Sequence, residues 1–144
     1  MRICFDLDET LCTGKPYEEA EPILSSIEIL NRLKEDGHII IIYTARGMTQ
    51  YDGDQDLVLS QYGQLTKDQL NKWGINYDSL IFGKPSADIY VDDKALNVMD
   101  IDKLEAEVDS SISFKQCCEK IDGLLEKINN VIFTSPLEDD DGRK

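Results

Sequence analysis

The sequence has few residues that bind soft metals, since it contains one histidine, His38, and four cysteines among 144 residues. The cysteines, Cys4, Cys12, Cys117 and Cys118, do not have the spacing of zinc-binding pairs. This argues against a classical zinc site, and free thiols that act as small apolar side chains are expected instead.

Basic residues and long apolar runs are also scarce. There are 15 Lys and Arg against 29 Asp and Glu, a net charge of −14. Because this charge repels phosphate backbones and anionic membranes, no nucleic-acid partner is expected. No window approaches the roughly 20 apolar residues of a membrane span, and the chain reaches Asp6 without an apolar leader. We therefore expect a soluble, cytoplasmic protein with no membrane partner.

Apolar runs alternate with amphipathic segments, which predicts an α/β fold with a parallel sheet and helices on both faces. Four consecutive isoleucines, residues 39–42, indicate a central strand that is covered on both faces. The first strand is likewise expected to be central. The predicted strands are residues 2–6, 39–44, 79–83 and 87–93.

Helices are predicted from apolar spacing and from end signals. The pattern over 23–35 is followed by Gly37, which is placed to end a helix. Thr66 and Gln69 have the spacing of a capping box, which predicts a helix start at Thr66. Residues 46–63 are left as a long segment that is polar at first, with a helical turn around residues 57–59 as an open alternative. A C-terminal helix is predicted after Ser113.

The chain length corresponds to one domain. We expect residues 1–133 to form a single catalytic domain and residues 134–144 to form a disordered acidic tail.

Polar side chains follow the predicted strands at their carboxyl ends. They are Asp6, Asp8, Thr44, Lys84, Asp92 and Asp93. Because such ends meet at one edge of a parallel sheet, these groups are expected to lie together. A divalent ion such as Mg²⁺ would relieve the repulsion between clustered carboxylates, and Lys84 and Thr44 would hold phosphate oxygens. A metal-neutralised carboxylate would then be free to attack phosphorus, so the pattern predicts phosphoryl transfer.

The same motifs resemble those of the haloacid dehalogenase superfamily. They are "DLDET" from Asp6, "IIIIYTA" around Thr44, "FGKP" around Lys84 and "YVDD" ending at Asp93, and they span residues 2–93. The resemblance implies a three-layer Rossmann-like fold with a central, mainly parallel sheet. "YTARGM" and "GKPSADIYVDDKA" are most similar to small phosphatases of bacterial capsular polysaccharide biosynthesis, a weaker resemblance that implies a sugar phosphate as substrate.

The resemblance implies a role for each catalytic residue. Asp6 would be the nucleophile that forms an aspartyl-phosphate. Asp8 would protonate the leaving group and later activate water, and its presence separates phosphatases from dehalogenases of the superfamily. Thr44 would bind the phosphoryl group, and Lys84 would neutralise charge on nucleophile and phosphate.

The resemblance also implies the Mg²⁺ ligands. Asp6, the Asp8 backbone carbonyl and Asp93 would contact the ion, whereas Asp92 would act from the second shell or through water. Arg46 has two interpretations that the sequence leaves open: it binds a substrate phosphate or carboxylate, or it pairs with a nearby acidic residue.

The loop over 9–22 and the gap after the third strand are too short for a cap domain. An uncapped site shields an aspartyl-phosphate poorly, which favours hydrolysis of a small phosphorylated metabolite over a mutase reaction. Residues 46–63 or a neighbouring subunit would then limit the pocket, so a homo-oligomer is an open expectation. Two alternatives also stay open: a nucleotidase or polynucleotide end phosphatase, and a non-enzymatic phosphoacceptor module.

Overall fold

The chain divides into two units, and the first is Met1–Glu105. Three parallel strands form the sheet of this unit. The structure is a computed structural model that describes residues 1–134. The strands are β1 (Arg2–Phe5), β2 (Ile39–Thr44) and β3 (Ser79–Phe82), in the order β1-β2-β3. Phe5 is in register with Ile42, and Thr44 with Phe82, so all three strands end at one edge. The protein therefore has a mixed α/β fold with an open parallel sheet.

The central strand is β2, as its isoleucine run predicts, but β1 is not central. Among the described residues, β1 pairs only with β2 and lies at the edge of the sheet. Ile40 and Ile42 are fully buried on one face of β2, whereas Ile39 on the other face is 46% exposed. The apolar run thus predicted the strand β2 correctly, but one face of β2 is less completely covered than the run predicted.

The first helix, α1 (Leu24–Glu35), agrees with its predicted bounds. Its buried side chains include Ile27, Leu30 and Leu33, which recur at helical spacing and form its inward face. Gly37 follows with a φ of +86°, a conformation that favours glycine, and ends the helix as predicted. The preceding segment is irregular, with one 3₁₀ turn at Tyr17–Glu19.

The second helix, α2 (Gln55–Lys72), starts well before the predicted position. Asp54 caps it, because its side chain accepts hydrogen bonds from the backbone N–H groups of Asp56 and Leu57 at 3.1 Å each. The capping box assigned to Thr66 and Gln69 is wrong, since both lie inside the helix. Three residues apart, they share its inward face.

The strand predicted over 87–93 is absent from the described structure, where these residues have no regular secondary structure. Only residues 83–86 separate them from β3, and a parallel neighbour ordinarily requires a crossover of a dozen residues or more. Beyond them lies a 3₁₀ segment, Val98–Lys103, capped by the Asn97 side chain.

The second unit begins at Ala106, and helix α3 (Leu104–Thr134) makes up its described part. The start predicted after Ser113 is wrong, because Ser113 lies inside this helix. The single domain over 1–133 stays a prediction, and the tail predicted over 134–144 lies outside the described residues except for Thr134. No helix within residues 1–134 combines the length and the apolar character that crossing a bilayer requires.

Candidate active site

Asp6 and Lys84 form an ion pair where the strands end. Asp6 directly follows β1, and Lys84 lies two residues after β3. The Lys84 Nζ atom donates to Asp6 Oδ2 at 2.8 Å, and the Leu7 backbone N–H donates to Asp6 Oδ1 at 2.8 Å. The Asp6 side chain is 34% exposed, so its carboxylate is oriented by two donors and still accessible. Such a carboxylate can act as a nucleophile or as an anionic ligand.

Thr44 and Lys84 are linked through the backbone. The Lys84 N–H donates to the Thr44 carbonyl at 3.1 Å, which continues the parallel register beyond the end of β3. The Thr44 side chain is fully buried, and its hydroxyl accepts from the Arg46 backbone N–H at 3.0 Å. The predicted proximity of β1, β2 and β3 end residues is therefore present for Asp6, Thr44 and Lys84.

A tight turn after β1 positions Asp8. Leu7 is fully buried, and its carbonyl accepts from the N–H groups of Leu11 at 2.8 Å and Cys12 at 3.2 Å. Glu9 has a φ of 62°, which is unusual for a residue with a side chain, and its carboxylate accepts from the Gly14 N–H at 2.7 Å. After this turn, the Asp8 side chain contacts Arg46.

Arg46 pairs with Asp8. Its Nη2 atom donates to Asp8 Oδ1 at 2.7 Å, and its Nε atom lies 3.2 Å from Asp8 Oδ1 and 3.3 Å from Asp8 Oδ2. The Arg46 side chain is fully buried, whereas that of Asp8 is 20% exposed. Of the two interpretations of Arg46, the structure contains the pairing with an acidic residue.

The rest of the Arg46 guanidinium contacts residues that the sequence did not suggest as site residues. Nη1 donates to Thr66 Oγ1 at 3.1 Å and to Gln69 Oε1 at 2.7 Å. The Tyr17 ring lies with its centroid 4.8 Å from the guanidinium carbon, a cation–π contact. The Thr-x-x-Gln spacing was the available signal: on a continuous helix it marks two polar groups on one face, where a buried arginine can bind.

Cys12 lies beside this ion pair. Its Sγ atom is 3.7 Å from Asp8 Oδ1 and 3.5 Å from Arg46 Nη2. Burial and the Asp8 charge outweigh the effect of the arginine and raise the pKa of Cys12 to about 12. The thiol is therefore protonated near neutral pH and is neither a nucleophile nor a soft metal ligand there.

Asp92 and Asp93 are exposed in the irregular segment after Lys84. The Asp92 side chain accepts from the Lys94 N–H at 2.7 Å, which forms a local turn. Within residues 1–134, no three His, Cys, Asp or Glu side chains form a group that could hold a metal ion. The oxygen donors of Asp6, Asp92 and Asp93 suit Mg²⁺ chemically, but the described arrangement does not gather them into a site.

These features define the class of the protein as mixed α/β, with an accessible carboxylate, a lysine and a buried acid–arginine pair after its parallel strands. The chain is similar to the crystal structure of an MCSG target from Vibrio cholerae, with 30% sequence identity and a TM-score of 0.66. The alignment covers 69% of this chain and 85% of that one. The protein therefore belongs to the same family as this Vibrio cholerae protein.

A weaker similarity links the chain to the structure of the Pnkp1/Rnl/Hen1 complex, with 25% identity and a TM-score of 0.43 over 64% of this chain and 30% of that chain. No protein-family model matches the sequence. No curated protein matches it either.

Proposed function

We propose that the protein is a phosphomonoester hydrolase of the capless haloacid dehalogenase type, with the corresponding three-layer Rossmann-like fold. The observation that carries the proposal is the accessible Asp6 carboxylate, held by Lys84 at 2.8 Å where β1 ends. A lysine in this position balances the negative charge of a carboxylate and of an approaching phosphate.

In the first step, an Asp6 oxygen attacks phosphorus and the bond from phosphorus to the ester oxygen breaks. Once it carries a proton, Asp8 donates that proton to the departing oxygen, so that the alcohol leaves neutral. Lys84 interacts with the phosphoryl oxygens and with Asp6. The Thr44 hydroxyl accepts from the Arg46 N–H and has its own proton left to donate. Because the Thr44 side chain is fully buried, a phosphoryl oxygen reaches that proton only after neighbouring atoms move.

In the second step, water attacks phosphorus of the aspartyl-phosphate and the bond between phosphorus and Asp6 breaks. Asp8, now deprotonated, accepts a proton from the water. Inorganic phosphate leaves, and both carboxyl groups return to their starting states. Lys84 holds the Asp6 carboxyl and Arg46 holds the Asp8 carboxyl, so each is kept in place by its own cationic partner.

Mg²⁺ is the proposed cofactor, with Asp6, the Asp8 backbone carbonyl and Asp93 as proposed ligands and Asp92 nearby. When bound, Mg²⁺ would neutralise charge on the carboxylate and the phosphate. The described residues do not form this ligand group, so binding of the ion requires that these oxygen donors come together. The proposed substrate is a small phosphorylated metabolite, with a sugar phosphate as the leading class.

The proposal is tested by measuring inorganic phosphate released from a panel of sugar phosphates, nucleotides and p-nitrophenyl phosphate, with Mg²⁺ and with excess chelator. We expect Mg²⁺-dependent turnover by the wild type and its loss in Asp6→Asn, which keeps the side-chain volume and removes the nucleophilic charge. Asp88→Asn is the matched control, an exposed acidic residue changed in the same way.

Asp6→Asn that retains wild-type turnover would contradict the nucleophile assignment. Turnover unaffected by chelator would contradict the Mg²⁺ requirement while leaving the carboxylate chemistry intact. Capture of a phosphorylated protein whose modified residue maps to Asp6 would support the covalent step directly.

A further inference from the structure

We propose that Arg46 is a positioning residue that orients the Asp8 carboxylate, and that it makes no contact with the substrate. The inference rests on the proposed function, because it assumes that Asp8 moves protons during ester cleavage. It assigns to Arg46 a role different from phosphate binding, the usual expectation for an arginine next to a phosphate site.

Every N–H donor of the Arg46 guanidinium has a partner within the protein. An arginine has five N–H donors: one on Nε and two on each Nη atom. Nε and one hydrogen of Nη2 go to Asp8, and the second Nη2 hydrogen has the Cys12 sulfur at 3.5 Å. Both Nη1 hydrogens have partners on α2, Thr66 and Gln69. No donor is left for a substrate oxygen.

Burial leads to the same conclusion. The Arg46 side chain has no solvent-exposed surface, and the Tyr17 ring covers one face of the guanidinium. A substrate phosphate could reach it only by displacing protein partners that are themselves buried. Asp8, with 20% of its side chain exposed, is the one member of the ion pair that a ligand can reach from solvent.

The geometry suits orientation of a proton donor. Nη2 donates to Asp8 Oδ1, and Nε is shared between Oδ1 at 3.2 Å and Oδ2 at 3.3 Å, so the planar guanidinium holds both oxygens of the carboxylate. A proton-transferring group must lie within hydrogen-bond reach of the leaving oxygen, so its orientation affects the rate directly. A lysine, which offers a point charge, would fix the distance without fixing the plane.

Helix α2 holds the arginine in turn. Thr66 and Gln69 accept from Nη1, and the Gln69 amide also donates to the Tyr17 carbonyl, in the segment that follows Asp8. Thr66 and Gln69 therefore hold Arg46 in place, and through Arg46 they help to position Asp8.

The test uses two substrates that differ in their leaving group. A p-nitrophenolate leaves readily without a proton, whereas a sugar alkoxide requires one. We expect Arg46→Met to lower kcat/KM for the most reactive sugar phosphate of the panel by about 10²-fold, as loss of general acid catalysis does. The loss with p-nitrophenyl phosphate is expected to be several-fold smaller. Asp8→Asn should give the same pattern.

Because Arg46→Met leaves the Asp8 charge partly buried without its partner, the double variant Asp8→Asn/Arg46→Met accompanies it. If Arg46 acts only through Asp8, adding Arg46→Met to Asp8→Asn should change kcat/KM less than about twofold, the non-additivity expected of a unit. Arg46→Lys should recover part of the loss. Arg32→Met is the control, because Arg32 forms an exposed ion pair with Glu105.

An equal loss on both substrates, or additive effects of Arg46→Met and Asp8→Asn, would overturn the positioning role while leaving the phosphatase proposal in place. A loss confined to KM would instead assign Arg46 to substrate binding. Wild-type protein that releases phosphate from no substrate of the panel would overturn both proposals. These outcomes separate failure of the inference from failure of the function.

Discussion

At the scale of single residues, the buried Arg46 depends on its neighbour Gly47. Gly47 has a φ of +76°, and its N–H donates to the Tyr17 hydroxyl at 3.3 Å. A Cβ atom added to Gly47 would lie 2.8 Å from Cδ2 of Tyr62, closer than such atoms approach. The absence of a side chain at this position therefore allows both the turn after Arg46 and the packing of Tyr62.

We predict that Gly47→Ala destabilises the protein more than Gly53→Ala does. Both glycines have positive φ, but a Cβ on Gly53 would have no atom within 4 Å. Alanine in this conformation costs about 1–2 kcal/mol, and the Tyr62 contact adds a cost typical of overpacking, about 1–3 kcal/mol. Urea unfolding of both variants measures the difference. Equal destabilisation would mean that Tyr62 moves aside without cost.

The sequence predicted correctly that three polar side chains lie together where the strands end, whereas their catalytic roles stay predictions. Asp6, Thr44 and Lys84 could be placed at one edge because the strand pattern determines where each strand ends. The partner of Arg46 could not be chosen, because Asp8 is 38 positions away in the sequence and many other acidic residues were available. Burial of the guanidinium, which depends on the position of α2, selects that partner.

At the scale of secondary-structure elements, α2 shows how one local pattern can have two meanings. Thr66 and Gln69 have the spacing of a capping box, yet Asp54 caps the helix and the pair lies on the buried face. Their partner is the Arg46 guanidinium, and the spacing of Thr66 and Gln69 does not predict this partner. The same Thr-x-x-Gln spacing thus fits a helix start or an arginine-binding face, and the tertiary contact with Arg46 decides between them.

We predict that Asp54→Ala destabilises the protein by about 1 kcal/mol, the usual cost of losing an N-cap acceptor. Two backbone N–H groups, those of Asp56 and Leu57, lose their partner in this variant. Asp54→Asn keeps an oxygen acceptor and should lose only a few tenths of a kcal/mol from the helix dipole. Urea unfolding measures both, and equal stability of the two variants would contradict the capping role.

At the scale of the whole molecule, Asp78 joins parts of the chain that are distant in sequence. Its carboxylate accepts from Lys34 on α1 at 2.6 Å and from the Ile40 N–H on β2 at 2.7 Å. Its own N–H donates to the Ile40 carbonyl at 2.8 Å, just before β3. The hydrogen bonds from Lys34 and Ile40 lower the pKa of the Asp78 carboxyl.

This lowered pKa predicts a pH dependence of stability. Because the unfolded chain binds a proton at Asp78 more readily, the stabilisation is fully present above about pH 4 and is lost as pH falls through the lower folded-state pKa. Asp78→Asn should therefore be less stable than wild type at pH 7, and the difference should shrink below pH 4. Thermal unfolding at several pH values, with Asp88→Asn as control, measures it. A difference independent of pH would contradict the linkage.

The sequence by itself determined the strands β1, β2 and β3, helix α1 and its end at Gly37, and the side chains that follow the strands. These depend on local periodicity, on glycine conformation and on the common direction of parallel strands. Only the tertiary structure decided that Arg46 is buried against Asp8, that Thr66 and Gln69 hold it, and that residues 87–93 form no strand. Burial and long-range pairing decide such features, and neither is encoded in the spacing of neighbouring residues.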